Sequence, residues 1–143
     1  MSDFDPNAFE ENLIADMRAH GGEVTSGPLK GHPLLIMTST GAKTGEPRRA
    51  ILTYSRDGDD YIVAGTAGGA PTTPAWVHNL RDHPQLEVEI QTRTFPATAT
   101  IIDGEERDRL WDRHVERLPW FAEYPKTAGR VIPMVRITPQ PAA

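Results

Sequence analysis

The stretch TSTGAKTGEPRR, residues 38–49, places basic side chains and glycines between two apolar runs. Its charged residues are Lys43, Arg48 and Arg49 on the basic side and Glu46 on the acidic side. Gly41 and Gly45 allow backbone conformations in which consecutive N–H groups point at one anion. An arginine can hold a phosphate through two parallel hydrogen bonds. The stretch therefore predicts an anion-binding loop; the alternative is a solvated charged turn, which is common on protein surfaces.

The Lys43–Thr44 pair invites comparison with the nucleotide-binding P-loop. That motif requires a glycine immediately before the lysine and a second glycine further upstream. Ala42 and Met37 stand at those two positions. A P-loop is therefore excluded, and the glycines and basic residues must be explained in another way.

A second glycine-containing loop, AGTAGGAPTTPAW, leads into a predicted helix that begins at Pro74. A helix N-terminus offers unpaired backbone N–H groups to a ligand. The loop lacks the Gly-x-Gly-x-x-Gly order and the following parallel strand of a dinucleotide-binding fold. The sequence thus indicates a second loop that can face a ligand, in a fold that is not of the Rossmann type.

Hydrolytic and metal chemistry have little support in this sequence. The chain has no cysteine, so thiolate nucleophiles and thiolate metal ligands are excluded. His78 and His83 lie about 140° apart around a helix and do not share a face for a metal, while Ser39 and Ser55 have no nucleophile-elbow context. We expect no metal site. The other histidines, His20, His32 and His114, are interpreted as surface or hydrogen-bonded polar residues.

Net charge and hydropathy limit the classes of partner that this protein could bind. A net charge of -5 argues against an extended nucleic-acid surface, and the acidic start of the chain does not resemble a secretory signal. No apolar run approaches the length of a membrane span. We expect a cytoplasmic monomer or homodimer that acts on a small molecule, without nucleic acid and without stable membrane insertion.

Hydrophobic periodicity predicts an N-terminal helix over residues 7–20, with two more helices after Pro74 and around residues 103–119. Strands are predicted at 34–39, 49–56, 60–66, 86–92, 95–102 and 131–138. The Asp57–Gly58 pair is typical of a hairpin turn and makes the second and third strands antiparallel neighbours.

Six short strands in 143 residues favour closure into a small barrel. The prediction is a mainly β (α+β) single-domain antiparallel β-barrel with the N-terminal helix and two peripheral helices. Residues 1–25 form the helix and a linker, and residues 26–143 form the barrel.

The segment LPWFAEYPKTAGRVIP concentrates Trp120, Phe121 and Tyr124 between the last predicted helix and the last strand. These rings either plug the end of the barrel or form the wall of a substrate pocket. Tyr124 adds a hydroxyl group that can donate a hydrogen bond or a proton.

Taken together, these features resemble the deazaflavin-dependent nitroreductase family, coenzyme F420-dependent oxidoreductases of the split β-barrel fold found mainly in mycobacteria and other actinobacteria. The resemblance extends from about Pro33 to Pro139. It is strongest in TGAKTGEPRR and LTYSRDGDDYIVAGTAGGAPTTPAWVHNLRDHPQLEVEI, where the order of the loops, the hairpin and the Pro-x-Trp helix start is specific.

The resemblance implies a role for each loop. Lys43, Thr44, Gly45 and Arg48, with help from Arg49, would hold the phosphate and acidic tail of coenzyme F420. Ala64, Gly65, Thr66, Ala67, Gly68 and Gly69 would line its deazaflavin ring, and Trp76 and Asn79 would support the cofactor from the following helix. Ala42 and Ala67 depart from the family, since basic residues are often found at these two positions.

The resemblance also implies hydride transfer from the reduced cofactor to electron-poor small molecules: activated enones and lactones, quinones and nitroaromatics. Tyr124 would orient or protonate the acceptor. Thr53, Leu118, Trp120 and Phe121, together with Thr66, would form the pocket wall. In relatives, tyrosines stand where this chain has Leu118 and Phe121.

Two alternatives remain open from the sequence. One is a reductase of the same fold that uses FMN. The other is a non-catalytic carrier that holds a tetrapyrrole or a lipid in the barrel groove.

Overall fold

The computed structural model describes residues 6–25, 32–66, 71–91 and 93–140. Its helices are α1 (Pro6–Ala19), α2 (Ala75–Asp82), α3 (Gly104–Arg117) and α4 (Tyr124–Ala128), with a 3-10 helix at Pro119–Glu123. Its strands are β1 (Leu34–Thr40), β2 (Pro47–Thr53), β3 (Ser55–Asp57), β4 (Asp60–Ala64), β5 (Gln85–Ile90), β6 (Arg93–Ile102) and β7 (Met134–Pro139). No helix in this part of the chain is long and apolar enough to cross a membrane.

These strands form one sheet in the order β2-β1-β5-β6-β7-β4-β3, and every neighbouring pair is antiparallel. The two edge strands, β2 and β3, are joined through a single residue, Tyr54. The sheet must therefore curl until its edges meet, which makes a split barrel. The predicted antiparallel split β-barrel with an N-terminal helix is confirmed.

The prediction of one strand over residues 49–56 was wrong, because this stretch forms two strands, β2 and β3. Its first part is β2, which pairs with β1, and its second part is β3, which pairs with β4 across the turn at Gly58. Gly58 has a φ of 62°, as a tight hairpin turn requires. At the break, the Tyr54 amide donates to the carbonyl of Pro33. The described residues thus hold seven strands where six were predicted, since one stretch of chain serves both edges of the barrel.

The last part of the chain also differs from the prediction. The final strand begins at Met134, later than the predicted residue 131, and the third predicted strand ends at Ala64, before residue 66. The aromatic segment that precedes the last strand folds into the 3-10 helix and α4. Gly129 ends α4 with a φ of 65°, in the left-handed region where glycine is favoured.

The barrel interior holds one core, and its outer surface holds two others. Alternate residues of β4 point to opposite faces: Val63 joins the barrel core with Leu35 and Val88, whereas Ile62 faces outward. Against that outward face pack the 3-10 helix, α3 and α4, burying Leu110. A third cluster joins α1 to β1, with Ile14 and Met17 of α1 and Leu34 and Ile36 of β1. The division of the chain near residue 25 stays a prediction.

Candidate functional site

A groove of about 580 Å³ lies between the loop that joins β1 to β2 and helix α2. We call it the outer groove, and its lining residues are Gly41, Ala42, Lys43, Thr44, Arg48, Arg49, Ala50, Ala75, Trp76, His78 and Asn79. The fold thus brings the basic loop against the Pro-x-Trp helix, although three strands and a glycine loop separate the two in the sequence. His78 was not predicted as part of this surface.

The basic loop is closed by its own backbone. The Gly41 amide donates to the carbonyl of Glu46 at 2.8 Å, and the Gly45 amide donates to the carbonyl of Gly41 at 2.9 Å. Gly45 has a φ of 71°, and a Cβ atom on Gly41 would lie 2.8 Å from the Thr44 hydroxyl oxygen. Neither position would readily accept a larger residue, because Gly41 lacks space for a Cβ atom and Gly45 has a positive φ. The loop presents Lys43 and Thr44 at its tip.

Asn79 anchors the loop to α2. Its side-chain oxygen accepts a hydrogen bond from the Ala42 amide at 2.9 Å, and the residue is only 8% exposed. A buried amide side chain of this kind is stable only when its polar atoms are bound. Asn79 thus fixes the position of the basic loop relative to α2.

The electrostatics of the outer groove favour an anion. Lys43 is exposed and has no ion pair within the described ranges. Arg48 lies 3.5 Å from Glu46 and 3.4 Å from the Thr44 hydroxyl, and Arg49 lies 3.8 Å from Glu11; these contacts are long and exposed. Exposed ion pairs at such distances contribute little to stability and neutralise little of the charge. The loop therefore presents net positive charge to the groove.

A second cavity, of about 330 Å³, lies beside the first. We call it the inner pocket, and its lining residues are His32, Ile51, Leu52, Thr53, Ala64, Thr66, Trp76, Trp120, Phe121 and Tyr124. Trp76 lines both cavities, so the outer groove and the inner pocket meet at this side chain. None of these ten lining residues carries a carboxylate, a lysine or an arginine side chain.

The aromatic residues form one connected wall of the inner pocket. Phe121 meets Tyr124 edge to face, with ring centroids 5.1 Å apart, and Trp120 lies 5.7 Å from Phe121. Trp120 in turn stacks on His32 at 4.6 Å. Trp120 is 40% exposed, whereas Phe121 is buried, so the wall runs from the mouth of the pocket to its base.

A buried pair lies behind this wall. His114 is fully buried and contacts Phe121 edge to face at 4.6 Å, and its Nδ1 lies 2.7 Å from the hydroxyl oxygen of Ser55. Burial lowers the pKa of His114 to about 4. From the sequence, Ser55 was assigned no function, and His114 was interpreted as a surface or hydrogen-bonded polar residue. No local signal could have joined them, because they are 59 positions apart.

The end of β4 is held by close packing at Gly65. A Cβ atom there would lie 2.8 Å from Cγ of Pro133 and 2.9 Å from Cγ2 of Val77. Arg130 donates to the carbonyls of Gly65 and Thr66 at 3.1 and 3.2 Å. Arg130 was not predicted as a site residue, although it fixes the backbone where the second loop begins.

Most of the residues predicted for the site border the two cavities, and a few do not. Leu118 is buried in the core with Phe121 and Leu110, and it lines neither cavity. Gly45 borders a separate shallow cavity with Pro47 and Gln85. Three predicted residues, Ala67, Gly68 and Gly69, lie outside the described residues.

Comparisons with known proteins agree with this arrangement. A sequence profile of the F420H(2)-dependent quinone reductase family matches residues 11–139. An F420H(2)-dependent quinone reductase of Mycobacterium tuberculosis is 37% identical over 112 residues, which are 74% of this chain and 73% of that protein.

Two solved structures are also similar to this chain, and one of them is named as an F420-dependent reductase. An F420-H2 dependent reductase, FDR-A, has a TM-score of 0.67 at 33% identity over 73% of this chain and 93% of its own. Another structure, described as a domain-swapped dimer, has a TM-score of 0.69 at 28% identity over 93% of this chain and 99% of its own. The resemblance to F420-dependent reductases of the split-barrel fold is thereby confirmed, and the chain belongs to the F420H(2)-dependent quinone reductase family.

Proposed function

We infer that this protein uses reduced coenzyme F420 to reduce a flat, electron-poor acceptor, with quinones as the main class and activated enones, lactones and nitroaromatics as further candidates. The observation that carries this inference is the junction at Trp76, where a basic groove meets an aromatic pocket whose described lining residues include no carboxylate, lysine or arginine. A cofactor with an anionic tail and a flat ring requires such a pair of surfaces.

The residues of the outer groove fit the phosphate and acidic tail of F420. Lys43 and Arg48 supply charge, and the amides of Lys43 and Thr44 donate to no protein acceptor in the described part of the chain. Charge-assisted hydrogen bonds of this kind are the strong ones. Arg49 at the same groove adds a third cation.

The deazaflavin ring would be held near Trp76, Asn79 and the backbone of residues 64–66, with Gly65 packed too tightly to accept a side chain. When bound, the reduced deazaflavin supplies a hydride, because a carbon replaces the reactive ring nitrogen of a flavin. The Arg130 contacts to Gly65 and Thr66 fix the backbone on which that ring would lie.

The side chains of the inner pocket bind and orient the acceptor. Trp120, Phe121 and Tyr124 offer flat apolar surface to a ring and exclude water from it. The Tyr124 hydroxyl has no hydrogen-bond partner within the described ranges, so it is available to an acceptor oxygen. We assign Tyr124 the role of orienting the acceptor and holding a proton at its hydroxyl, with Thr53 and Thr66 as polar wall residues.

Family membership supports F420 over the alternatives. An FMN-dependent reductase has no support in the comparisons, and a tetrapyrrole or lipid carrier is not favoured. The relative described as a domain-swapped dimer is compatible with a monomer or homodimer for this chain, which stays a proposal.

Binding titrations test the assignment directly. The protein is titrated separately with F420, FMN and haem, and binding is followed by cofactor fluorescence or absorbance. We expect saturable binding of F420 alone, followed by oxidation of F420H2 when 2-methyl-1,4-naphthoquinone is added. Tighter binding of FMN or haem than of F420, or F420H2 that stays reduced in the presence of the quinone, would contradict the proposal.

A further inference from the structure

His32 lies at the mouth of the inner pocket, two residues before β1 begins. Its ring stacks on Trp120, with centroids 4.6 Å apart and planes inclined by 20°. Both rings line the inner pocket. The sequence predicted an ordinary surface or hydrogen-bonded histidine, yet the ring has no hydrogen-bond partner in the part of the chain that the structure describes.

The two ring nitrogens of His32 differ in their surroundings. Nδ1 is buried and unpartnered, whereas Nε2 is not fully buried. A buried N–H without an acceptor is rarer in proteins than a buried acceptor without a donor. The neutral ring with its proton on Nε2 therefore suits this site, because it leaves only a lone pair at the buried position. The stack on Trp120 holds the ring plane, so the Nε2 edge is the one left for a ligand.

We propose that His32 is a specificity-determining residue, whose Nε2–H donates a hydrogen bond to a carbonyl oxygen of the acceptor in the inner pocket. The assignment rests on the proposed function, and it selects acceptors that carry a ring carbonyl. Thr53, Thr66 and Tyr124 supply hydroxyl groups that donate or accept. The Nε2–H of His32 only donates, which suits an oxygen that becomes negative.

The chemistry of quinone reduction explains why a donor is useful there. A 1,4-quinone becomes a hydroquinone when it takes up one hydride, which brings both electrons, and one proton, which the Tyr124 hydroxyl would hold and water would replace. Its two C=O bonds become two C–OH groups, and negative charge grows on an oxygen before the proton arrives. A positioned N–H donor stabilises that charge as it develops. His32 keeps its own proton throughout.

Nitrogen NMR provides a readout that does not depend on turnover. The protein carries 15N-labelled histidine and is saturated with oxidised F420, so that added 2-methyl-1,4-naphthoquinone binds without reacting. The His32 signals are assigned by their loss in His32→Phe. We expect the Nε2–H tautomer, with a quinone-induced shift that is larger at Nε2 than at Nδ1. An Nδ1–H tautomer, or a ring whose Nε2 does not respond to quinone, would overturn the proposal.

Acceptor selectivity provides the second test. For each variant, kcat/KM is measured with the naphthoquinone and with a phenazinium dye, which accepts a hydride but has no carbonyl group. His32→Phe keeps a ring on Trp120 and removes the N–H, so we expect the quinone-to-dye ratio to fall about tenfold or more, the scale of one hydrogen bond. His32→Gln restores a donor and should recover most of the ratio.

The matched control is His83→Phe, which changes an exposed histidine that lines neither cavity and should keep the wild-type ratio. Equal losses with both acceptors in His32→Phe would reduce His32 to a packing residue and overturn the proposal. Wild-type protein that oxidises F420H2 with neither acceptor would instead refute the proposed function, so the two failures are distinguishable.

Discussion

The outer groove is built mainly from residues that are close together in the chain, whereas the inner pocket gathers side chains from residue 32 to residue 124. The basic loop closes on itself through the Gly41 and Gly45 amides, and one contact from Asn79 sets its position. The inner pocket depends instead on a wall that is packed against a buried histidine and on a strand end held by Arg130.

This difference separates two kinds of interaction. At the outer groove, the charges proposed to bind the cofactor tail are exposed, so substitutions there should alter cofactor binding and leave folding nearly unchanged. At the inner pocket the lining is continuous with the core, so changes behind the wall should alter stability as well as catalysis. The four predictions below test that separation, from the largest expected effect to the smallest.

Charge reversal at the outer groove should produce the largest change. The double variant Lys43→Glu, Arg48→Glu would replace the proposed attraction to the F420 tail by repulsion. Each lost charge-assisted hydrogen bond is worth roughly 1.5–3 kcal/mol, so F420 affinity should fall about a hundredfold or more. Fluorescence titration measures the affinity, and calorimetry of the cofactor-free protein should show a nearly unchanged Tm.

A control with the same change in net charge separates local from global effects. Arg117→Glu combined with Lys126→Glu alters two exposed residues outside both cavities and should keep wild-type affinity. If both double variants lose F420 equally, net charge is responsible and the loop does not hold the tail.

Lowering the pH should reduce the stability of the folded protein through His114, which packs behind the wall of the inner pocket. Its pKa is about 4 in the folded protein and about 6.5 in an unfolded chain. Between those values the unfolded chain binds a proton that the folded protein excludes, so lowering the pH favours unfolding. The resulting loss of stability should approach about 3 kcal/mol near pH 4.

Urea unfolding as a function of pH measures this loss. His114→Gln has no titrating ring, and its stability should fall less steeply than that of the wild type between pH 6.5 and 4. Identical slopes in the two proteins would show that the buried ring does not cause the acid sensitivity.

Tyr124→Phe tests whether the wall also does proton chemistry. If the hydroxyl holds the proton for the acceptor, single-turnover oxidation of F420H2 by a cyclic enone should slow roughly 10²-fold. F420 affinity should stay constant, since Tyr124 does not line the outer groove. Tyr54→Phe, outside both cavities, is the matched control. A rate within a few fold of the wild type would leave Tyr124 as a packing surface only.

Salt should produce the smallest effect and affect one region only. Exposed charges are screened over about 8 Å near physiological ionic strength, so the KM for F420H2 should rise a few fold between low and high salt. The KM for the quinone should change much less, because none of the described residues that line the inner pocket carries a carboxylate, lysine or arginine side chain. Parallel rises in both constants would show that salt acts on the whole enzyme.

The sequence predicted those parts of the molecule that depend on neighbouring residues. The basic loop, the Asp57–Gly58 turn and the start of α2 follow from turn chemistry and periodicity, and the resemblance placed the barrel around them. The break at Tyr54 escaped prediction, because strand propensity continues through it while its partner strands change.

Contacts between distant residues account for what was missed at the site. Ser55 and His114 are 59 positions apart, and Arg130 reaches Gly65 over 65 positions. His32 gave no signal of its own in the sequence, because the role proposed for it depends on its stack with Trp120, a residue far away in the chain. Such pairs become visible only when the strands have been placed in order.

The position of β7 has a consequence for synthesis of the chain. Strand β7, the last of the described strands in sequence, lies between β6 and β4 in the sheet, and its removal would leave two open edges. All of the outer groove and most of the inner pocket are encoded before residue 83. Even so, a nascent chain on the ribosome cannot close the barrel around them until residues 134–139 have emerged. We therefore expect cofactor binding only after β7 has been synthesised, because a chain that stops before β7 would leave the unpaired edges of β6 and β4 exposed.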